Sequence, residues 1–192
     1  MSPHPTTSNR RTPRRRTPRR RTPRRRTRRR PAAIVALGVT VALGLSACSG
    51  GGSDDGSELP AVDLLDADGN VVPTRSLVGE PLVVNFWYST CPPCTKELRE
   101  FAAVHEDLGE SVRFVGVNPL DEGPAMVAFA AERGVTYELL RDELAELQTE
   151  LEITAFPVTL FVQSDGTILR RSGVLDEDGL RSEIDLLLEA EA

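Results

Sequence analysis

The residues of this chain best equipped for chemistry are Cys91-Pro92-Pro93-Cys94. They stand where a nearly continuous apolar run, Pro81 to Tyr88, gives way to a segment with helical spacing. A thiolate at a helix N-terminus is stabilised by the dipole and by unpaired backbone N–H groups. That setting brings a cysteine pKa from about 8.5 down to roughly 3.5–7.5. The spacing lets the second thiol attack a mixed disulfide formed by the first. Proline is tolerated at both intervening positions, because the first helical N–H groups have no internal partner in any case.

The elements that must position this pair follow from periodicity. Pro81 to Tyr88 has the composition of a central strand buried on both faces. From Cys91 a helix is expected, with Leu98, Phe101, Val104 and Leu108 on one face and Gly109 as its stop. Val112 to Val117 is a second central strand. Pro124 suits the first turn of a helix running to Arg133, which Gly134 ends. Tyr137 to Leu140 reads as a short extended piece. Asp142 is expected to cap a helix over Leu144, Leu147 and Leu151. Val158 to Val162 and Ile168 to Arg171 form a hairpin around Ser164-Asp165-Gly166-Thr167, and Asp176 caps a last helix with Leu180, Ile184, Leu187 and Leu188 on its apolar face. Upstream, Leu59 to Leu65 and Val71-Val72 flank a turn-rich stretch and suggest another hairpin. Early β-helix-β pairing is parallel and the late hairpin antiparallel, so the expected fold is α/β with a mixed central sheet flanked by helices and an N-terminal β extension.

These elements together closely resemble the TlpA/ResA-like branch of thioredoxin-fold thiol–disulfide oxidoreductases. The matching residues are Val83-Val84-Asn85-Phe86-Trp87, Cys91-Pro92-Pro93-Cys94-Thr95-Lys96-Glu97, and Phe156-Pro157-Val158-Thr159, with the turn at Asp165-Gly166. The likeness runs from Leu59 to about Leu188. It implies that Cys91 is the exposed nucleophile, Cys94 the buried resolving thiol, and Pro157 the cis-proline beside their disulfide. It also implies a role for Glu97. Thioredoxin carries a buried aspartate just before the strand Phe-Trp, where this chain has Asn85, and an amide cannot transfer the proton. Family members with this asparagine have a glutamate three residues after the second cysteine, which is Glu97. One helical turn puts it on the side of Cys94. Thr90, Arg99 and Phe156 depart from the family pattern. Thr90 removes an apolar cover, Arg99 replaces a helix-kinking proline, and Phe156 is bulky before the cis-proline; all three bear on partner choice.

Charge divides the chain. Of 23 basic residues, fourteen are arginines between Arg10 and Arg30, leaving nine against 29 acidic residues from Cys48 onward, a balance of −20. An acidic body argues against nucleic acid as a partner. The Arg- and Pro-rich repeat of residues 11–30 cannot bury a core and is expected to be disordered. Ala32 to Leu45 is a charge-free run of 14 residues, short for a membrane span of about 20 but fitting an export signal. Leu45-Ser46-Ala47-Cys48 resembles the lipobox of bacterial lipoproteins, which implies that Cys48 is acylated and becomes the first mature residue. The general and twin-arginine export routes both remain open, and the true translation start could lie downstream of Met1. Ser49 to Ser57 has no apolar residue and reads as a tether. The expected organisation is therefore a cleaved leader over 1–47, a tether over 48–58 and a thioredoxin-like domain over 59–192.

With Cys48 given to lipid, only His105 remains in the domain beside the cysteine pair, so a four-ligand zinc site is not built. The expectation is a monomeric thiol–disulfide oxidoreductase without cofactor, lipid-anchored on the extracytoplasmic face of the cell membrane. Its partners would be the bilayer, an upstream membrane electron donor and protein thiols or disulfides. The family suggests apocytochrome c among the last. Disulfide formation in secreted proteins is the opposite direction, and potentials from about −270 mV to about −120 mV span both. Two rivals stand beside this reading. Cys94-Thr95-Lys96-Glu97-Leu98 also resembles the segment after the reactive cysteine of peroxiredoxins, although Cys91 occupies the position usually held by threonine. The other rival is a tethered metal- or thiol-binding module.

Overall fold

The computed structural model describes residues 56–192, so the leader, Cys48 and all of the tether before Gly56 lie outside the described residues. In chain order the elements are β1 (Ser57–Glu58), β2 (Asp63–Leu65), β3 (Val71–Pro73), a 3-10 turn (Thr74–Ser76), β4 (Leu82–Phe86), α1 (Pro92–Leu108), β5 (Arg113–Asn118), α2 (Gly123–Ala131), β6 (Glu138–Arg141), α3 (Glu146–Glu150), β7 (Val158–Val162), β8 (Thr167–Ser172) and α4 (Glu177–Ala190). The strands form one mixed sheet in the order β1-β8-β7-β4-β5-β6-β2-β3. β4, β5 and β6 run parallel, joined by α1 and α2, while β7 is antiparallel to both β4 and β8. This is the thioredoxin-like arrangement with an N-terminal extension: β2 and β3 lengthen the sheet beyond β6, and β1 adds to its other edge at β8.

The alternation of β4 decides which residues meet α1. Leu82, Val84 and Phe86 pack on one face with Val115, Val117, Leu160, Val162 and Leu147. Val83 packs on the other, with Phe101 and Val104 of α1, Ile184 and Leu187 of α4, and Met126 of α2. Asn85 shares the face of Val83, so the one polar residue of a wholly buried strand points towards α1. Directly across the β4–β7 pair stands Thr159, and the Asn85 Nδ2 donates to its Oγ1 at 3.1 Å. Trp87, fully buried just after β4, needs room on this face. Gly116 of β5 provides it: a Cβ there would stand 2.9 Å from Trp87 Nε1 and 2.7 Å from Leu139 Cδ2. Among the described residues, no helix is long and apolar enough to cross a membrane.

Three local expectations are corrected. Ser57 and Glu58, placed in the tether on composition, pair with Ile168 and Thr167 of β8. Backbone hydrogen bonding needs no apolar side chain, and their polarity hid the strand. The helix expected over Leu144 begins only at Glu146, because Ala145 takes a left-handed conformation at φ 53° and leaves Leu144 exposed. Asp142 still caps it from a turn away, accepting from the N–H groups of Leu147 at 3.3 Å and Gln148 at 2.8 Å. Finally, α2 ends at Ala131 rather than Arg133. Arg133 and Gly134 close onto Ala130 and Ala131 with the tighter three-residue spacing that often finishes a helix.

Candidate active site

Cys91 and Cys94 are joined by a disulfide at the start of α1. Cys91 is the extended N-cap residue, its Sγ accepts from the Cys94 N–H at 3.3 Å, and Pro92 and Pro93 occupy the first helical positions. The N-terminal dipole and free amides of a 17-residue helix are therefore directed at the sulfur pair. Cys94 is completely buried and Cys91 is 3% exposed. The expectation of an openly exposed Cys91 is thus corrected for this oxidised form. Cys91 sits in one apolar cluster with Trp87, Cys94 and Leu98, and Tyr88 and Phe156, edge-on with ring centroids 5.1 Å apart, pack against that cluster.

The Phe156–Pro157 peptide is cis, and Pro157 is buried. Val158 pairs with Phe86, so the 156–157 segment enters the sheet beside the strand end from which the loop to Cys91 departs. Of the departures from the family pattern, Thr90 and Arg99 are exposed, and α1 runs unbroken through Arg99.

Glu97 is only 2% exposed. Its Oε1 accepts from the Leu175 N–H at 2.8 Å and its Oε2 from Asn85 Nδ2 at 3.2 Å. One carboxylate thereby ties α1 to β4 and to the loop before α4. Burial pushes its pKa up from 4.5 to about 7; the two hydrogen bonds oppose that rise, and the nearby charge of Glu100 adds to it. A cleft of about 310 Å³ lined by Pro93, Lys96, Glu97, Glu100, Val174 and Leu175 opens beside the carboxyl. Glu97 is one of the residues lining that cleft, and its helical position places it on the side of Cys94. Tyr137 lies deeper. Burial first, and the charge of Glu97 second, push its phenol well above its ordinary value.

One polar group near the pair was not singled out from sequence. Ser89, two residues before Cys91, bonds Asp121 in the loop after β5, and Asp121 bonds Asn118. The signal available was Asn118-Pro119-Leu120-Asp121 directly after an apolar strand, a pattern shared with ordinary turns. Among the described residues, no group of three or more His, Cys, Asp or Glu is placed to hold a metal ion.

Comparison with known proteins agrees with this geometry. Residues 56–171 match the model of the AhpC/TSA family. The thiol:disulfide interchange protein HelX of Rhodobacter capsulatus is 33% identical over 141 residues, 71% of this chain and 78% of HelX. The thiol-disulfide oxidoreductase ResA of Bacillus subtilis is 25% identical over 139 residues, again 71% and 78% of the two chains. The solved thioredoxin domain of a Bacteroides vulgatus thiol-disulfide oxidoreductase superposes with a TM-score of 0.62 at 21% identity, covering 70% of this chain and 97% of that one.

Proposed function

The chain belongs to the AhpC/TSA family and is a TlpA/ResA-like thiol–disulfide oxidoreductase, and from that premise we propose that Cys91 and Cys94 are its redox couple and that it reduces protein disulfides outside the cytoplasm. The observation that carries this reading is the Cys91–Cys94 disulfide at the N-terminus of α1, with a buried carboxyl one turn further along. In the reduced enzyme the Cys91 thiolate attacks one sulfur of a partner disulfide, and the other partner sulfur leaves as a thiolate that takes a proton from water. Cys94 then gives its proton to Glu97 and attacks Cys91 Sγ. The second partner sulfur departs as a thiolate and takes up the proton held by Glu97; the enzyme keeps the disulfide, and the partner has gained two electrons and two protons. Pro157 borders the groove in which an extended partner segment lies against the sulfur pair.

Cys48 carries the lipid in this proposal, and the tether holds the domain at the extracytoplasmic face of the membrane. A membrane electron donor returns the couple to its dithiol form there. The substrate class is a polypeptide whose paired cysteines must be kept reduced, and apocytochrome c before haem attachment is the member we favour. A thiol peroxidase is less well supported, because Cys94, the cysteine that peroxide would have to reach, is fully buried and Cys91 stands where the peroxiredoxin segment usually has threonine.

The deciding measurement is the reduction potential of the Cys91–Cys94 couple. A value at or below the about −270 mV of thioredoxin supports a reductant. A value near the about −120 mV of DsbA would make the protein an oxidant of secreted chains instead.

A further inference from the structure

Three strand ends meet at one residue, Asp121, and two of them at its carboxylate. From the β4 side, Ser89 donates its backbone N–H to Asp121 Oδ2 at 2.7 Å and its hydroxyl to Asp121 Oδ1 at 2.6 Å. From β5, the fully buried Asn118 donates its Nδ2 to Asp121 Oδ2 at 2.7 Å. The Asn118 Oδ1 accepts in return from the N–H groups of Leu120 at 2.9 Å and Asp121 at 2.8 Å. From β6, the Arg141 Nε donates to the Asp121 carbonyl at 3.1 Å. The Asp121 side chain has thus taken three donors, two of them from the residue that opens the loop to Cys91. That loop continues the chain of contacts: the Cys91 N–H returns to Tyr88 O at 3.2 Å, and Thr95 Oγ1 of α1 donates to Cys91 O at 3.1 Å.

We propose that Asp121 is a positioning residue for the redox couple: through Ser89 it fixes the 88–91 loop, so that Cys91 Sγ is already aimed at Cys94 before the disulfide closes. This inference rests on Cys91 and Cys94 being the redox couple. Closing the ring in the glutathione equilibrium converts the dithiol and one oxidised glutathione into the protein disulfide and two reduced glutathiones, moving two electrons and two protons. A loop held by Asp121 has little freedom to lose in that step. A released loop has more, and freeing the backbone of about one residue weakens ring closure by roughly tenfold. For a two-electron couple, tenfold in the equilibrium constant is about 30 mV, and the sign is upward, because the dithiol form is the one that gains freedom.

The test is a glutathione redox titration of the detergent-solubilised full chain, read by alkylation and mass. The wild type is compared with Asp121→Ala, Asp121→Asn, Ser89→Ala, the double variant Ser89→Ala/Asp121→Ala, and Val162→Ala. The last removes a buried methyl group pair at the far end of β7, on the sheet face away from α1, and controls for loss of stability alone. Asp121→Ala should raise the potential by about 30 mV, that is, by the tenfold loss in closure. Ser89→Ala keeps the backbone bond and the charge, so its rise should be about threefold in the same equilibrium. The double variant should move no further than Asp121→Ala, because both act through one contact. Asp121→Asn preserves volume and serves if the alanine variant does not fold. Wild-type potentials in both Asp121 variants would overturn the inference. So would a shift in the Asp121 variants with none in Ser89→Ala, which would mean that charge rather than position is responsible. An equal shift in Val162→Ala would reduce the effect to general loosening. Failure of the wild type itself to titrate as a two-thiol couple would instead sink the redox-couple reading, and this inference with it.

Discussion

Replacing Glu97 by glutamine should make the oxidised protein more stable at alkaline pH while making it a slower enzyme. The carboxyl is 2% exposed, and burial raises its pKa from 4.5 to about 7. A group whose pKa rises on folding binds its proton more tightly in the native state. Stability is therefore full below pH 4.5, declines as pH climbs towards 7, and is constant above that. At about 1.4 kcal/mol for each pH unit, the loss across this window is about 3 kcal/mol. Glutamine keeps the shape and has no charge to bury. Its Oε1 can still accept from Leu175 N–H, and a turn of the Asn85 amide lets Asn85 Oδ1, a buried acceptor with no hydrogen-bond partner among the described residues, accept from the new Nε2. Urea unfolding of the oxidised protein at pH 4.5 and at pH 8.5 gives the comparison. The two proteins should agree within about 1 kcal/mol at the lower pH, and the variant should lead by roughly 2–3 kcal/mol at the higher. His105, whose pKa is lowered by burial, titrates in both proteins and cancels in the difference. In the same variant, resolution of a mixed disulfide should slow, since general acid–base transfer commonly contributes about 100- to 10,000-fold. A stability difference that stays flat from pH 4.5 to 8.5 would refute the argument, for it would mean that the carboxyl ionises as freely folded as unfolded.

Two further outcomes follow from the proposed roles of the cysteines. Cys94→Ser should accumulate partner proteins as mixed disulfides through Cys91, visible as higher bands on non-reducing gels. Accumulation in Cys91→Ser instead would exchange the two roles. Cys48→Ala should abolish acyl labelling and release the protein from membranes, whereas membrane retention without label would make the apolar run a plain anchor.

Much of the fold was legible because burial on both faces leaves an unambiguous trace. Leu82 to Phe86 has no position for a solvent-facing side chain, and α4 shows a single apolar face that Asp176 opens by accepting from Gly179 N–H at 2.9 Å. The cysteine pair was legible as chemistry, since its spacing and its place at a strand-to-helix junction are both functional requirements. Glu97 lies on the helix face of Cys94, Leu98 and Phe101, yet a glutamate on an apolar stripe reads equally well as an edge residue. It was the resemblance that singled it out. What stayed hidden is built from short polar side chains at strand ends. Ser89, Asn118 and Asp121 are ordinary turn residues one by one, and only the parallel pairing of β4 with β5 brings them together. Ala145 was equally invisible, because nothing in its type announces a positive φ.

The start of α1 is thus held from both sides by carboxylates in opposite electrostatic conditions. Burial works against the charge of Asp121, but the bonds from Ser89 and Asn118 outweigh it and hold the pKa below its ordinary 3.8. At Glu97 burial outweighs the bonds from Leu175 and Asn85, and the pKa rises to about 7. The difference lies in the balance of donors and desolvation. Asp121 receives two hydrogen bonds from Ser89 and one from Asn118 while keeping some exposure, whereas Glu97 is enclosed with two donors, one of them at 3.2 Å. Near neutral pH the first carboxylate cannot change state and the second can. Any pH dependence of the couple between about 6 and 8 that these two acids produce must therefore come from Glu97, on the resolving-cysteine side, while the geometry on the Cys91 side stays constant.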